Sequence, residues 1–257
     1  MNAMTPEIKT DGFQRPASLA LLKNVVHMVG LVQRLNDRGA HMPGFGVVHG
    51  YSGYGKTYSA VFAQNKTGGP RIEIGDSWTK KTLVRAILKE LGVREPKGTV
   101  ADLTEQAIIR LAEPNHPPLF IDEADKLVDK GMIELVREIQ EGAQIPIVLI
   151  GEELLPQKLM KIERVHNRVL DWVAAQPCDL EDTRKLVQMF CPQLSIDDPT
   201  LEAMRNASEG RARRIVTNLY RAREFAATRG LKALEAGGLV PEFFTGNPPA
   251  RSSRRSA

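Results

Sequence analysis

Gly50-Tyr-Ser-Gly-Tyr-Gly-Lys-Thr57 is the stretch on which the reading of this chain turns. Glycines at 50, 53 and 55 release the backbone from the Cβ constraint, so successive N–H groups can converge on one anion. Lys56 adds a point charge suited to the outer phosphates of a nucleoside triphosphate, and Thr57 a hydroxyl suited to Mg2+. Ser52, Tyr54 and Tyr58 complete the segment counted with the nucleotide. The pattern G-x-x-x-x-G-K-[ST] gains its weight from context, a strand before it and a helix after it. Phe45-Gly-Val-Val-His49 reads as a short apolar strand, and the chain beyond Lys56 reads as a helix.

Downstream, Pro118-Leu-Phe-Ile-Asp-Glu123 is an apolar strand ending in two carboxylates. Asp122, 66 positions after Lys56, is the expected Mg2+ holder, with water between; Glu123 is the expected base for an attacking water. Further strands are expected at Arg71–Ile74, Ile145–Ile150 and Asp171–Ala174. Helices with apolar residues on one face lie between them. One starts at Ser18 and presents Leu19, Leu22, Val26 and Val29; others carry Leu83, Ile87 and Leu91, or Ile133, Val136 and Ile139. Strands alternating with helices predict an α/β fold: a five-stranded parallel sheet covered by helices on both faces. After Pro177 the strand signals stop. Helices over Glu181–Phe190, Pro199–Ser208 and Arg211–Arg229 form a small lid. The expected division is an arm over 1–17, the α/β domain over 18–177, the lid over 178–236, and a basic, disordered tail over 237–257.

The composition removes other classes. Cys178 and Cys191 are too few for a disulfide scaffold, and the five His never take metal-ligand spacing, which argues against a zinc or non-haem iron enzyme. No run reaches the ~18–20 apolar residues of a membrane span, and residues 1–16 contain no signal core. The expected location is the cytosol. The net charge of +4 is unevenly placed: from Arg205 onward eleven Lys+Arg stand against four Asp+Glu, a net +7 that leaves −3 for residues 1–204. Thr79-Lys80-Lys81 puts two cations in the first turn of a helix, where they oppose the helix dipole. A phosphate backbone at that end reverses the penalty, so Lys80, Lys81 and Arg85 are candidate contacts to duplex DNA; solvated lysines on an ordinary helix are the plainer alternative. Trp78 beside them suits either base stacking or the core.

Taken together, the phosphate loop, the LFIDEAD box and the helical lid resemble AAA+ ATPases. The resemblance implies ATP with Mg2+. It also implies a polar residue at the end of Ile145-Pro-Ile-Val-Leu-Ile-Gly-Glu-Glu153, where Glu152 stands next to Gly151 instead of the usual Asn, Ser or Thr. A lid arginine at the γ-phosphate is implied too, Arg213 of Gly210-Arg-Ala-Arg-Arg214, as is an arginine acting across a subunit boundary, for which Arg164 and Arg168 are the candidates. HMPGFGVVHGYSGYGKTYSA, WTKKTLVRAILKELG, PLFIDEADKL and IPIVLIGEELL are similar to a narrower group, the transposition ATPases of the phage Mu B and TnsC type, over roughly residues 18–235. That group implies a bacterial protein encoded by a phage or mobile element. It would form ATP-dependent homo-oligomers, rings or filaments, on duplex DNA, select target sites, recruit a transposase, and disassemble on hydrolysis. The short arm leaves no room for the extra N-terminal DNA-binding domain of Mu B. A helicase loader or replication initiator is the alternative within AAA+. A P-loop small-molecule kinase is disfavoured by the lid, and a secretion-linked ATPase by the lack of a membrane span.

Overall fold

The computed structural model describes residues 20–39 and 41–248. Its strands are β1 (Phe45–His49), β2 (Arg71–Glu73), β3 (Leu119–Asp122), β4 (Ile147–Gly151) and β5 (Val169–Ala174), all parallel in the order β2-β3-β4-β1-β5. The body's helices are α1 (Lys23–Asn36), α2 (Lys56–Thr67), α3 (Lys80–Glu90), α4 (Val100–Leu111), α5 (Asp125–Asp129), α6 (Ile133–Ala143), α7 (Leu155–Met160) and α8 (Glu163–His166). Parallel strands buried on both faces are apolar throughout, and alternate side chains divide between the two layers. Val47, Ile121 and Leu149 join Leu83, Ile87, Leu103 and Ile139 of α3, α4 and α6. Val48, Phe120, Val148 and Ile150 face Met28, Leu31, Leu35 and Ala60 of α1 and α2.

The lid comprises α9 (Leu180–Phe190), α10 (Asp198–Ala207) and α11 (Ala212–Arg229). Its core of Leu186, Cys191, Met204, Ile215 and Leu219 is continuous with Leu22 and Val25 at the start of α1 and with Tyr58 and Phe62 of α2. The seam between body and lid is therefore packed, and the main cavity lies over it.

Three expectations need correction. α1 buries Val25, Met28, Leu31, Val32 and Leu35, whereas Val26 is exposed. The segment is apolar in two helical registers, and close docking on β1 selects one: a Cβ on Gly46 would press against Leu31 and Leu35. Leu22, without a side-chain cap, precedes the helix; Ser18 and Leu19 lie outside the described residues. Strand structure also does not stop at 177. β6 (Ser195–Ile196) and β7 (Ala233–Leu234) pair in parallel within the lid, two residues each, too short for any periodicity to announce. Finally, the chain beyond 237 stays ordered against the lid as far as 248. Buried Asn218 donates to the Phe244 carbonyl at 3.0 Å and accepts the Phe244 N–H at 2.6 Å, and the Arg221 guanidinium lies 4.8 Å from the Phe244 ring centroid. The arm over 1–17 and tail residues 249–257 lie outside the described residues.

Candidate nucleotide site

The glycine loop leaves the carboxyl end of β1 and enters α2, at the sheet edge where open α/β folds bind ligands. Gly53 and Gly55 hold φ of 87° and 85°, values open to glycine at little cost, and Gly55 is the left-handed N-cap of α2. α2 has no side-chain cap, so its first N–H groups are free for an anion. Lys56 Nζ donates to the Gly50 and Tyr51 carbonyls at 2.6 and 3.0 Å, which folds the ammonium over the loop. Burial lowers its pKa, an effect partly offset by Glu152, Asp122 and Glu123. An added phosphate would relieve that cost.

A cavity of about 390 Å³ opens over the loop. Ser52, Gly53, Gly55, Lys56 and Thr57 line one wall. Asp122, Glu123, Gly151 and Glu152 line the second, and Arg213 with Thr217 the third. Leu22, Tyr58, Leu186, Phe190, Val216 and Tyr220 make an apolar end where a planar base fits. Tyr58 is held there by its hydroxyl, which donates to the Ala20 carbonyl at 3.1 Å. Asp122 is the last residue of β3 and buried; its Oδ1 accepts the Glu123 N–H at 3.0 Å, and its Oδ2 lies 3.3 Å from Arg71 Nη1. A carboxylate with the exposed Thr57 hydroxyl is the hard oxygen set that Mg2+ takes alongside phosphates. Glu123 sits at φ 57°, a left-handed position costly for a side-chain-bearing residue, so its orientation is imposed by its surroundings. Burial and, more weakly, Asp122 and Glu152 push its pKa up, against Lys126.

The lid closes onto the loop through the start of α11. Arg211 Nη1 donates to the Ser52 carbonyl at 3.0 Å, and the Arg213 N–H lies 3.3 Å from the Gly53 carbonyl. The Arg213 side chain is exposed and forms no ion pair among the described residues. Two residues that sequence reasoning passed over brace the site. Asn24 of α1 donates to the Tyr54 and Gln176 carbonyls at 2.8 and 2.7 Å and accepts the Gln176 N–H at 2.9 Å, joining the loop to the body–lid hinge. Lys23 pairs with Asp179 at 2.5 Å. A polar residue on an otherwise apolar helix face was the available signal.

Arg164 and Arg168 are not in this cavity. Phe45 N–H, at the opposite end of β1 from the loop, donates to the Arg168 carbonyl at 2.9 Å. A five-residue strand puts about 13 Å between the two ends. Arg168 Nε is bonded to Glu141 at 2.8 Å; exposed Arg164 has no ion partner among the described residues. Lys80, Lys81 and Arg85 do not line the cavity either; they are exposed on α3, whose opposite face buries Leu83, Val84, Ile87 and Leu88. Trp78 packs partly buried against that core.

The comparisons agree with this geometry. Residues 40–159 match a family described as AAA domain. The fold is that of the P-loop AAA+ NTPases. Among solved structures, the ORC1 protein of Aeropyrum pernix in complex with DNA aligns with TM-score 0.61 and 19% identity, covering 84% of this chain. The ORC2 protein of the same organism, described as ADPNP-ADP complexes, aligns with TM-score 0.62 and 17% identity over 82%. The RuvB Holliday junction branch migration motor of Thermotoga maritima gives 0.58 and 19% over 85% of this chain and 68% of its own. The chain spans 63% of the length of each ORC protein. No curated protein matches it in sequence. Glu152, the residue after β4, and Arg213, near the start of α11, both line the cavity.

Proposed function

We propose that this chain binds and hydrolyses ATP with Mg2+, assembles on duplex DNA in the ATP state, and marks DNA for a transposase. The observation that carries the ATPase reading is the single cavity on which the phosphate loop, Asp122/Glu123 and Arg213 converge from three walls. The α2 N–H groups and Lys56 bind the β- and γ-phosphates. Thr57 and Asp122 would hold Mg2+, which neutralises phosphate charge when bound. Glu123 takes a proton from water as the water oxygen attacks the γ-phosphorus; the bond to the β-phosphate oxygen breaks and ADP leaves with the electron pair. Arg213 stabilises the charge that develops from the lid.

Neither Arg164 nor Arg168 lines the cavity, and Arg168 meets β1 at the end opposite the loop, so the pair supplies the candidate for a neighbouring subunit's site, which makes nucleotide the adhesive of the oligomer. Of the two, Arg164, without an ion partner among the described residues, is the trans-acting group, and Arg168 is held by Glu141. Lys81, Arg85 and Lys89 are exposed at spacings of four on α3, a cationic row that suits a phosphate backbone without reading bases. Among the described residues no helix is long and apolar enough to cross a membrane. The similarity to transposition ATPases favours the transposase partner, whereas the likeness to ORC proteins favours a replication initiator or helicase loader. Electron microscopy with duplex DNA, with and without a non-hydrolysable ATP analogue, tests the assembly: nucleotide-dependent rings or filaments support it, and identical images in both conditions refute it. Stimulation of strand transfer, against stimulation of helicase loading, separates the two partners.

A further inference from the structure

Gly151 ends β4 beside Glu152, and the structure contains a physical reason for glycine at that position. Two hydrogen bonds join the turn after β3 to the tip of β4. The Ala124 N–H donates to the Ile150 carbonyl at 2.8 Å, and the Glu152 N–H donates to Asp125 Oδ2 at 2.6 Å. The Asp125 carboxylate lies directly over Gly151, where an added Cβ would overlap Oδ2. Asp125 is buried, and its other oxygen faces Lys158 Nζ at 3.7 Å; Lys158 is also paired with Asp129 at 2.7 Å. The clamp thus spans three residues of the cavity wall: Glu123, two positions before Asp125 in its left-handed conformation, and Gly151 and Glu152.

We infer that Asp125 is a positioning residue for hydrolysis, which fixes Glu123 and Glu152 relative to each other and to the γ-phosphate through its bond to the Glu152 N–H. This rests on the ATPase reading above. A charge-assisted bond to a backbone N–H is short and directional, and Glu123 has a conformation that only surrounding contacts maintain. Releasing the clamp lets both carboxylates move by an ångström or more without touching the phosphate loop. Turnover suffers, whereas nucleotide binding through Lys56 and α2 is retained. Asparagine at 125 keeps an acceptor oxygen in place, so it should restore most of what alanine loses.

The test uses the full chain: steady-state ATP hydrolysis with and without duplex DNA, binding of a fluorescent ADP analogue, and thermal unfolding. Asp125→Ala should lower kcat about 100-fold while ADP-analogue affinity changes less than about threefold, and Asp125→Asn should recover at least about tenfold of that loss. Gly151→Ala should destabilise the protein, and adding Asp125→Ala should raise its melting temperature part of the way back, because the nearer overlapping group, the carboxylate, is gone while Leu155 Cδ2 remains. The idea is overturned by an Asp125→Ala variant with wild-type kcat, by a loss that appears equally in ADP affinity, or by two substitutions that destabilise additively. Absence of ATP hydrolysis by the wild-type chain overturns the ATPase reading and this inference with it; wild-type hydrolysis with an unaffected Asp125→Ala overturns this inference alone.

Discussion

Two cavity residues carry opposite charges at unequal cost, and their variants should separate binding from chemistry. Lys56 is the cation that burial destabilises until a phosphate arrives. Lys56→Ala should weaken ATP binding about 100-fold or more, as the loss of a charge-assisted contact to phosphate implies, readable by calorimetry. Glu123→Gln keeps shape and acceptor oxygen but cannot take the proton. Binding should persist and kcat should fall by about 10²–10⁴, trapping ATP-bound assemblies visible by electron microscopy; fast disassembly of this variant with ATP would contradict the scheme. Burial and neighbouring carboxylates raise the Glu123 pKa. The base works only when ionised, so kcat should fall as pH drops through a value above the ordinary glutamate range, and the acid limb should vanish from the residual rate of Glu123→Gln. Cys178, buried with its thiol pushed up to about 12, stays protonated at neutral pH, so a thiol reagent should label it only after unfolding.

At the level of the element, α3 separates two roles on one helix. Its apolar face is committed to the core, and its N-terminus is closed by Thr79, whose hydroxyl accepts the Thr82 N–H at 3.3 Å. Thr79→Ala should cost about 1 kcal/mol in denaturant unfolding and leave DNA affinity nearly intact. Charge reversal at Lys80 and Lys81 should do the reverse: DNA binding is lost and the salt dependence flattens, while ATP binding and melting temperature hold. DNA affinity unchanged by that reversal would remove α3 from the interface. Helices such as α3 were legible because the apolar spacing of Leu83, Ile87 and Leu91 and the capping Thr79 are local to one short stretch. α1 was misread because Val26 and Val25 offer equally apolar faces, and only contact with Gly46, a partner distant along the chain, selects between them.

For the molecule as a whole, completion of the catalytic site across a boundary has a quantitative signature. Arg164→Ala lacks the trans-acting group and Glu123→Gln lacks the base, so each alone should keep only a small residual rate. Mixed in equal amounts, about a quarter of the head-to-tail interfaces pair an intact Glu123 with an intact Arg164, and ATPase activity should reappear to that extent. No recovery would mean that the two residues serve the same protomer or that Arg164 is not the finger. Sequence by itself determined the phosphate loop, the Asp122–Glu123 pair and the strand–helix alternation, because short-range backbone geometry and side-chain chemistry dictate them. Tertiary structure alone decided that Asn24 braces the loop, that Arg168 is held by Glu141 while Arg164 has no ion partner among the described residues, that Asp125 and Leu155 leave room only for glycine at 151, and that Phe244 docks on Asn218. Each of these depends on which distant residues the packed sheet and lid bring within a few ångströms, a distance that no local pattern encodes.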